Sequence, residues 1–275
     1  MRSEGVFLER RGSLAMLVLR RPARLNACNR EMFVQLEAAA CELADKRSLP
    51  RAVIVTGEGA DAFCAGFDVN PDNPMVAQMA RALEEGNSRI IEDAIAAIRK
   101  SVDRLAALPV PVIAAVNGKA FGGGAELAVR CDMRVMDPAA VMCFSEVRLG
   151  LMPDWGGGAT LTHLIGSAAA ADLILTARRV GAHEALQLGL VNRVSAPGKA
   201  VDEAVELAEA IMANGPRAVQ SALKVIRAGR NLSLEATLDL ERTTAVDLIG
   251  SGECLHGIGA FLNGKEPHFQ DLPSD

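Results

Sequence analysis

Short apolar runs alternate with longer stretches of helical spacing over the first two-thirds of the chain. Residues 14–19 read as a strand, and 52–55, closed by Thr56-Gly57-Glu58-Gly59, as a second. A third, 110–116, lies between Pro109/Pro111 and the turn Asn117-Gly118, and a fourth, 133–136, stops at Asp137-Pro138. Between them, 31–44, 76–108 (broken, with Gly86 inside) and 124–130 carry helical patterns. This alternation predicts an α/β fold with short strands.

The last third changes character. Residues 167–176, 182–188, 200–213, 216–228 and 233–249 all read as helices, and Asn214-Gly215-Pro216 separates two of them, with Pro at a helix start. Val201, Ala204, Val205, Ala208, Ile211 and Met212 form a stripe at i, i+3, i+4 spacing that should pack on a neighbour. Ser195-Ala196-Pro197-Gly198 interrupts the pattern, so the chain divides into a core over 1–197 and a helical region over 198–275.

At 275 residues, half of them apolar, the chain can bury a sizeable core. No uninterrupted apolar run reaches the 18 or so residues of a membrane span, and the N-terminus lacks the apolar segment of a secretion signal. A cytoplasmic location and no membrane partner are the expectation. A net charge of −5 and only nine aromatic residues, eight Phe and one Trp, argue against nucleic acid. The six cysteines form no C-x-x-C pair and the four histidines no H-E-x-x-H. Free thiols and no metal or other cofactor are therefore expected.

The candidate chemistry sits in two glycine segments and three acids. Phe63-Cys64-Ala65-Gly66-Phe67-Asp68 follows the second strand and its turn, and Gly122-Gly123-Gly124-Ala125-Glu126 joins a strand to a helix. Three glycines at a helix start leave backbone N–H groups uncovered where the helix has unpaired donors and a positive dipole end. Such a site favours a developing negative oxygen. A lone triplet also suits a tight turn, but neither a dinucleotide fingerprint (Leu127 stands where a third glycine belongs) nor a P-loop is present. Glu146 follows Glu126 by twenty residues, across a predicted strand, and Asp154 comes eight later. A chain running out along a helix and back along a strand can bring acids so spaced to one pocket. Carboxylates beside an oxyanion site suit proton transfer at carbons next to a thioester carbonyl.

These segments together resemble the crotonase (enoyl-CoA hydratase/isomerase) superfamily over nearly the whole chain. The matches begin at Arg21-Pro22-Ala23-Arg24-Leu25-Asn26-Ala27 and continue through Phe63–Asp68, Pro109–Gly118 and Gly122–Glu126. Cys131-Asp132, Glu146–Pro153, Gly189-Leu190-Val191, Gly259–Leu262 and Lys265–Phe269 follow in the family's order. The resemblance implies a spiral of ββα units with a helical C-terminal region used in trimer formation, as a homotrimer or a dimer of trimers. It implies an acyl-CoA thioester substrate, an oxyanion hole from the N–H groups of Phe67 and Gly123, and acid/base roles for Glu126 and Glu146. Arg24, Leu25, Ala65, Gly66, Asp68 and Gly122 would line the coenzyme A site, and Arg20, Arg21 and Arg24 could meet its phosphates.

Two departures stand out. Ser145 replaces the Pro that hydratases usually carry before the second Glu, and Asp154 stands where they usually have Gly. The expected activity is hydration of trans-2-enoyl-CoA. Double-bond isomerisation of enoyl- or dienoyl-CoA using Asp154 is the alternative, and a non-catalytic acyl-CoA-binding protein a further one. Trp155 reads as a pocket wall or a packing residue, and residues 69–108 as the acyl-pocket wall, long enough to include a mobile helix or lid.

Overall fold

The computed structural model describes residues 3–272. In chain order it contains β1 (Gly5–Arg11), β2 (Leu14–Arg20), α1 (Arg30–Leu43), β3 (Ala52–Gly57), β4 (Ala62–Cys64), α2 (Pro74–Glu84) and α3 (Ser88–Ala106). There follow β5 (Val112–Val116), β6 (Lys119–Phe121), α4 (Gly123–Arg130), β7 (Met133–Met136), β8 (Val141–Cys143), α5 (Gly157–Thr176), β9 (Val180–Gly181), α6 (Ala182–Gln187) and β10 (Arg193–Val194). The helices α7 (Ala200–Met212), α8 (Pro216–Ala228), α9 (Leu234–Gly250) and α10 (Glu253–Leu262) complete the described chain.

Six strands form one sheet in the order β1-β2-β3-β5-β7-β10, and four form a second in the order β4-β6-β8-β9. From β2 through β10 the first sheet is parallel, with β1 antiparallel on its edge. The strands β3, β5 and β7 each cross directly to a short strand of the second sheet, β4, β6 and β8, and then on to helix. This is the expected spiral of ββα turns. Burial on both faces explains why β3 and β5 are apolar at nearly every position. One face of the large sheet (Ala15, Leu17, Val53, Val55, Ala114, Val116) packs on α1 and α3. The other (Leu14, Met16, Ile54, Ile113, Ala115, Val135) packs on Ala204, Leu207 and Ala208 of α7.

Asparagines staple the crossovers. Asn117 accepts from the Gly57 N–H at 3.2 Å and donates to the Gly57 and Gly59 carbonyls at 2.8 and 2.6 Å, tying the end of β5 to that of β3. Asn26, buried and left-handed at φ 56°, accepts from Arg21 N–H and donates to the carbonyls of Glu58 and Ala62. Both sit in segments that carried the family resemblance, and both hold backbone groups that no ladder satisfies.

Several expectations shift. The strand expected at 110–116 starts at Val112, because Pro109 and Pro111 have no N–H to donate to a ladder. The 76–108 pattern does break at Gly86 (φ 64°) into α2 and α3. The helix expected at 167–176 begins ten residues earlier, at Gly157. An 18-residue stretch within its twenty residues has a mean hydropathy of 1.3, so the helix reaches the length and composition of a membrane span. Gly166, at φ 79° and ψ 160°, divides them into two shorter helices. Beyond residue 197, α7 packs on the core sheet through Ala204, Leu207 and Ala208, and α8 is tied to it by Arg227, which donates to Asp132 and to the Leu108 carbonyl.

Candidate active site

The start of α4 owes its shape to three glycines, each for a different reason. Gly122 precedes the helix at φ 52° and ψ −127°, a region closed to residues with a Cβ. A Cβ on Gly123 would fall 2.4 Å from the indole carbons of Trp155, and one on Gly124 only 2.0 Å from the Cys64 carbonyl oxygen. The other glycine segment presses against this start: a Cβ on Gly66 (φ 91°) would lie 2.9 Å from the Gly123 nitrogen and 2.7 Å from the Phe121 carbonyl oxygen. The two segments expected to supply the oxyanion amides are therefore in direct contact.

The 64–68 turn is held from behind. Cys28 N–H donates to the Gly66 carbonyl at 2.7 Å, and Asp68 N–H donates to the Cys28 carbonyl at 2.9 Å. The Cys64 sulfur accepts the Gly66 N–H at 3.3 Å. This pattern skips Phe67: among the described residues neither the Phe67 nor the Gly123 N–H donates to a protein acceptor. Cys28 and Cys64 were not singled out from the sequence. Nothing in their spacing marks them: Cys28 acts through its backbone on a turn some forty residues away, and Cys64 through its sulfur on the turn it belongs to.

The acids converge beside these amides. Glu126, on the first turn of α4, is fully buried, and Glu146, opening the 3₁₀ turn Glu146–Leu149, is 8% exposed. A Cβ on Gly122 would sit 3.7 Å from Glu146 Oε1. The Glu126 carboxylate accepts the N–H groups of Asp154 (3.2 Å) and Gly157 (2.8 Å), so the loop before α5 wraps around it. Both Glu146 oxygens are buried and accept no hydrogen bond from the described residues, which leaves them open to a substrate or water hydroxyl. Burial, and then the neighbouring Glu146, push Glu126 up to about 8. Burial raises Glu146 also, with Asp154 adding to it. Asp154 is half-buried and likewise raised by burial, against the pull of Arg99. Both glutamic acids so placed hold protons more tightly than exposed carboxyls do, which suits proton transfer near neutrality.

The residues assigned to the coenzyme A site divide. Leu25 is exposed and left-handed at φ 51°, and its carbonyl accepts the Ala65 N–H at 3.0 Å, so the 24–26 and 65–66 segments form one continuous surface. Arg24, half-buried, pairs with Asp72 at 2.7 Å. The Asp68 side chain does not face that surface: it is 1% exposed and bonded to Arg21 and Asn70. Burial works to raise Asp68, but hydrogen bonds from Asn70 and Arg21 hold it below its ordinary value. Arg21 also meets Glu4 at 2.9 Å, and Arg20 pairs with Glu58 at 3.1 Å while its guanidinium stacks over Phe7. The idea that all three arginines meet phosphates is corrected: two are consumed inside the fold, leaving Arg24.

Parallel strands wound in ββα turns, two free amides on touching backbone segments and a buried carboxyl pair beside them define the class as a crotonase-fold protein. The sequence model of the enoyl-CoA hydratase/isomerase family matches residues 9–272. The Bacillus subtilis protein YngF is 38% identical over 97% of this chain and 98% of its own length. The short-chain-enoyl-CoA hydratase of Clostridium acetobutylicum is 33% identical over 97% of each. The crystal structure of an enoyl-CoA hydratase from Bacillus anthracis superposes with a TM-score of 0.87, at 32% identity, over 96% of this chain and 98% of that one. The chain belongs to the enoyl-CoA hydratase/isomerase family.

Proposed function

We infer that the protein hydrates trans-2-enoyl-CoA thioesters. The observation that carries this reading is the buried Glu126–Glu146 pair beside the free amides of Phe67 and Gly123. With the thioester oxygen on those amides, charge gathers on it as water adds. The water oxygen bonds to Cβ, one carboxylate takes its proton, and the pair returns a proton to Cα. One such donor is worth on the order of 10²–10³ in rate, about 3–4 kcal/mol. Without it an enolate would lie beyond the reach of carboxylate bases. The relative in Clostridium acetobutylicum carries a hydratase name, which agrees with this reading.

Loss of enoyl absorbance with crotonyl-CoA, followed by product identification in H₂¹⁸O, tests the assignment. A labelled 3-hydroxyacyl-CoA is expected, and an unlabelled alkene would replace the reading with isomerisation. That second reading draws on Asp154, a third half-buried carboxyl whose burial raises its affinity for a proton.

The proposed substrate passes over Leu25, Ala65 and Gly66, with Arg24 toward the phosphates. A homotrimer or dimer of trimers is supported by α9. Of its seventeen residues only Thr244 is buried, while Leu234, Leu238, Val246 and Ile249 are exposed. Light scattering at about three or six times the chain mass is the expected result.

A further inference from the structure

We propose that Trp155, backed by Phe33, closes the acyl end of the site and restricts this enzyme to short acyl groups. The inference rests on the enoyl-CoA reading above and adds the class of acyl chain.

Trp155 is tied to the reaction centre on both sides. The N–H groups of the residues at 154 and 157, one before it and two after it, both end on the Glu126 carboxylate. Its indole covers the α-carbon of Gly123, the residue that supplies one oxyanion amide: a Cβ there would meet Cε2 and Cζ2 at 2.4 Å. The indole also packs on Phe33 of α1, with ring centroids 5.1 Å apart and planes at 81°. Both rings are buried, Trp155 at 3% and Phe33 at 5% exposure. A ring in contact with backbone and with a second aromatic ring, both buried, has little free rotamer space to yield.

Behind Phe33 the surface opens again. A groove of about 300 Å³ runs between α1, α2 and α3, and Phe33, Val34, Met75, Ile90 and Ala94 contribute apolar wall. The order of groups is thus oxyanion glycine, indole, phenyl ring, open apolar groove. An acyl chain extending from the reacting carbons over the first turn of α4 meets the indole before it can reach the groove. A four-carbon acyl group stops short of the wall. A twelve-carbon one must displace two packed rings or fold back on itself.

The test compares crotonyl-CoA with trans-2-dodecenoyl-CoA for the parent protein, Trp155→Ala, Phe33→Ala and Trp155→Phe. A single methylene against a fixed hydrophobic wall discriminates by about 10- to 200-fold, so the parent should favour the four-carbon substrate at least about tenfold in kcat/KM. Trp155→Ala should shrink that ratio by about tenfold or more, through a gain on the long substrate, and Phe33→Ala should move it the same way. Trp155→Phe, which keeps a ring in place, should retain most of the preference. Equal turnover of both substrates by the parent overturns the wall, as does a Trp155→Ala protein that loses activity on both in equal proportion. If the parent converts neither thioester, the hydratase reading fails on its own. Calorimetric binding of butyryl-CoA and dodecanoyl-CoA to the same proteins then decides the wall: the proposal needs the substitution to favour the longer ligand, and an unchanged ratio ends it.

Discussion

Gly124→Ala sets two effects of opposite sign against each other. Alanine is the better helix former, by up to about 1 kcal/mol in a helix interior. The new Cβ, however, would lie 2.0 Å from the Cys64 carbonyl oxygen and 2.7 Å from its carbon. Even a close C–H···O contact sits near 3.3 Å, so α4 and the 64–68 turn must part by about 1.3 Å, the difference between those two separations. The obstacle is backbone, and the turn is pinned by the Cys28–Gly66 and Asp68–Cys28 hydrogen bonds. Overpacking of this kind costs about 1–3 kcal/mol, enough to outweigh the propensity gain. The larger consequence is catalytic, because the two elements forced apart each carry one of the proposed oxyanion amides. A 1 Å misplacement costs on the order of 10²-fold in rate. We expect kcat for crotonyl-CoA to fall by about two orders of magnitude while the protein remains folded, as read by thermal unfolding alongside kinetics. Gly181→Ala, with nothing within 4 Å of its Cβ, supplies the control and should leave the rate unchanged. A Gly124→Ala enzyme with parental kcat and Tm would refute the claim that these two backbones touch.

Glu126→Gln and Glu146→Gln should each lower kcat by on the order of 10²–10⁴, with the double variant little worse than the poorer single, since the carboxyls act as one unit. Glu126 is pushed up to about 8 from an ordinary 4.5, so between those values the folded chain holds a proton that the unfolded chain has released. Its contribution is therefore fully present below pH 4.5 and lost as pH rises through 8. In urea titrations Glu126→Gln should flatten that decline and exceed the parent in stability by a few kcal/mol at most near pH 9. Asp68 has the opposite sign: held below its ordinary 3.8, it stabilises above that pH and the effect fades as acid protonates it. Asp68→Asn, which leaves the 8%-exposed Arg21 with Glu4 as its remaining charge partner, should cost about 3 kcal/mol and show as a lowered Tm.

Local order and residue type were enough to mark the glycine triplet, the Phe63–Asp68 turn and the acids at 126, 146 and 154, because each belongs to a short segment whose backbone needs are local. The strands β4, β6 and β8 were not legible: at three residues each they complete no period, and they exist because neighbouring strands supply their hydrogen bonds. The edge strand β1 was missed for a related reason. Its Glu9-Arg10-Arg11 end faces solvent and erases the apolar signal. The role of Asp68 was misjudged because adjacency to the oxyanion turn suggested a ligand contact, whereas Arg21, forty-seven residues away, claims its carboxylate.

By itself, then, the amino-acid order determined the α/β alternation, the family and the glycines and acids worth testing, all of which depend on patterns within a few residues. Tertiary structure alone decided that Gly66 touches Gly123, that Glu126 and Glu146 share one buried pocket, and that Trp155 covers Gly123. The physical reason is distance along the chain. Proton affinity and steric access depend on which groups meet in space, and here the meeting groups lie 20 to 122 residues apart in sequence, from Glu126–Glu146 to Phe33–Trp155.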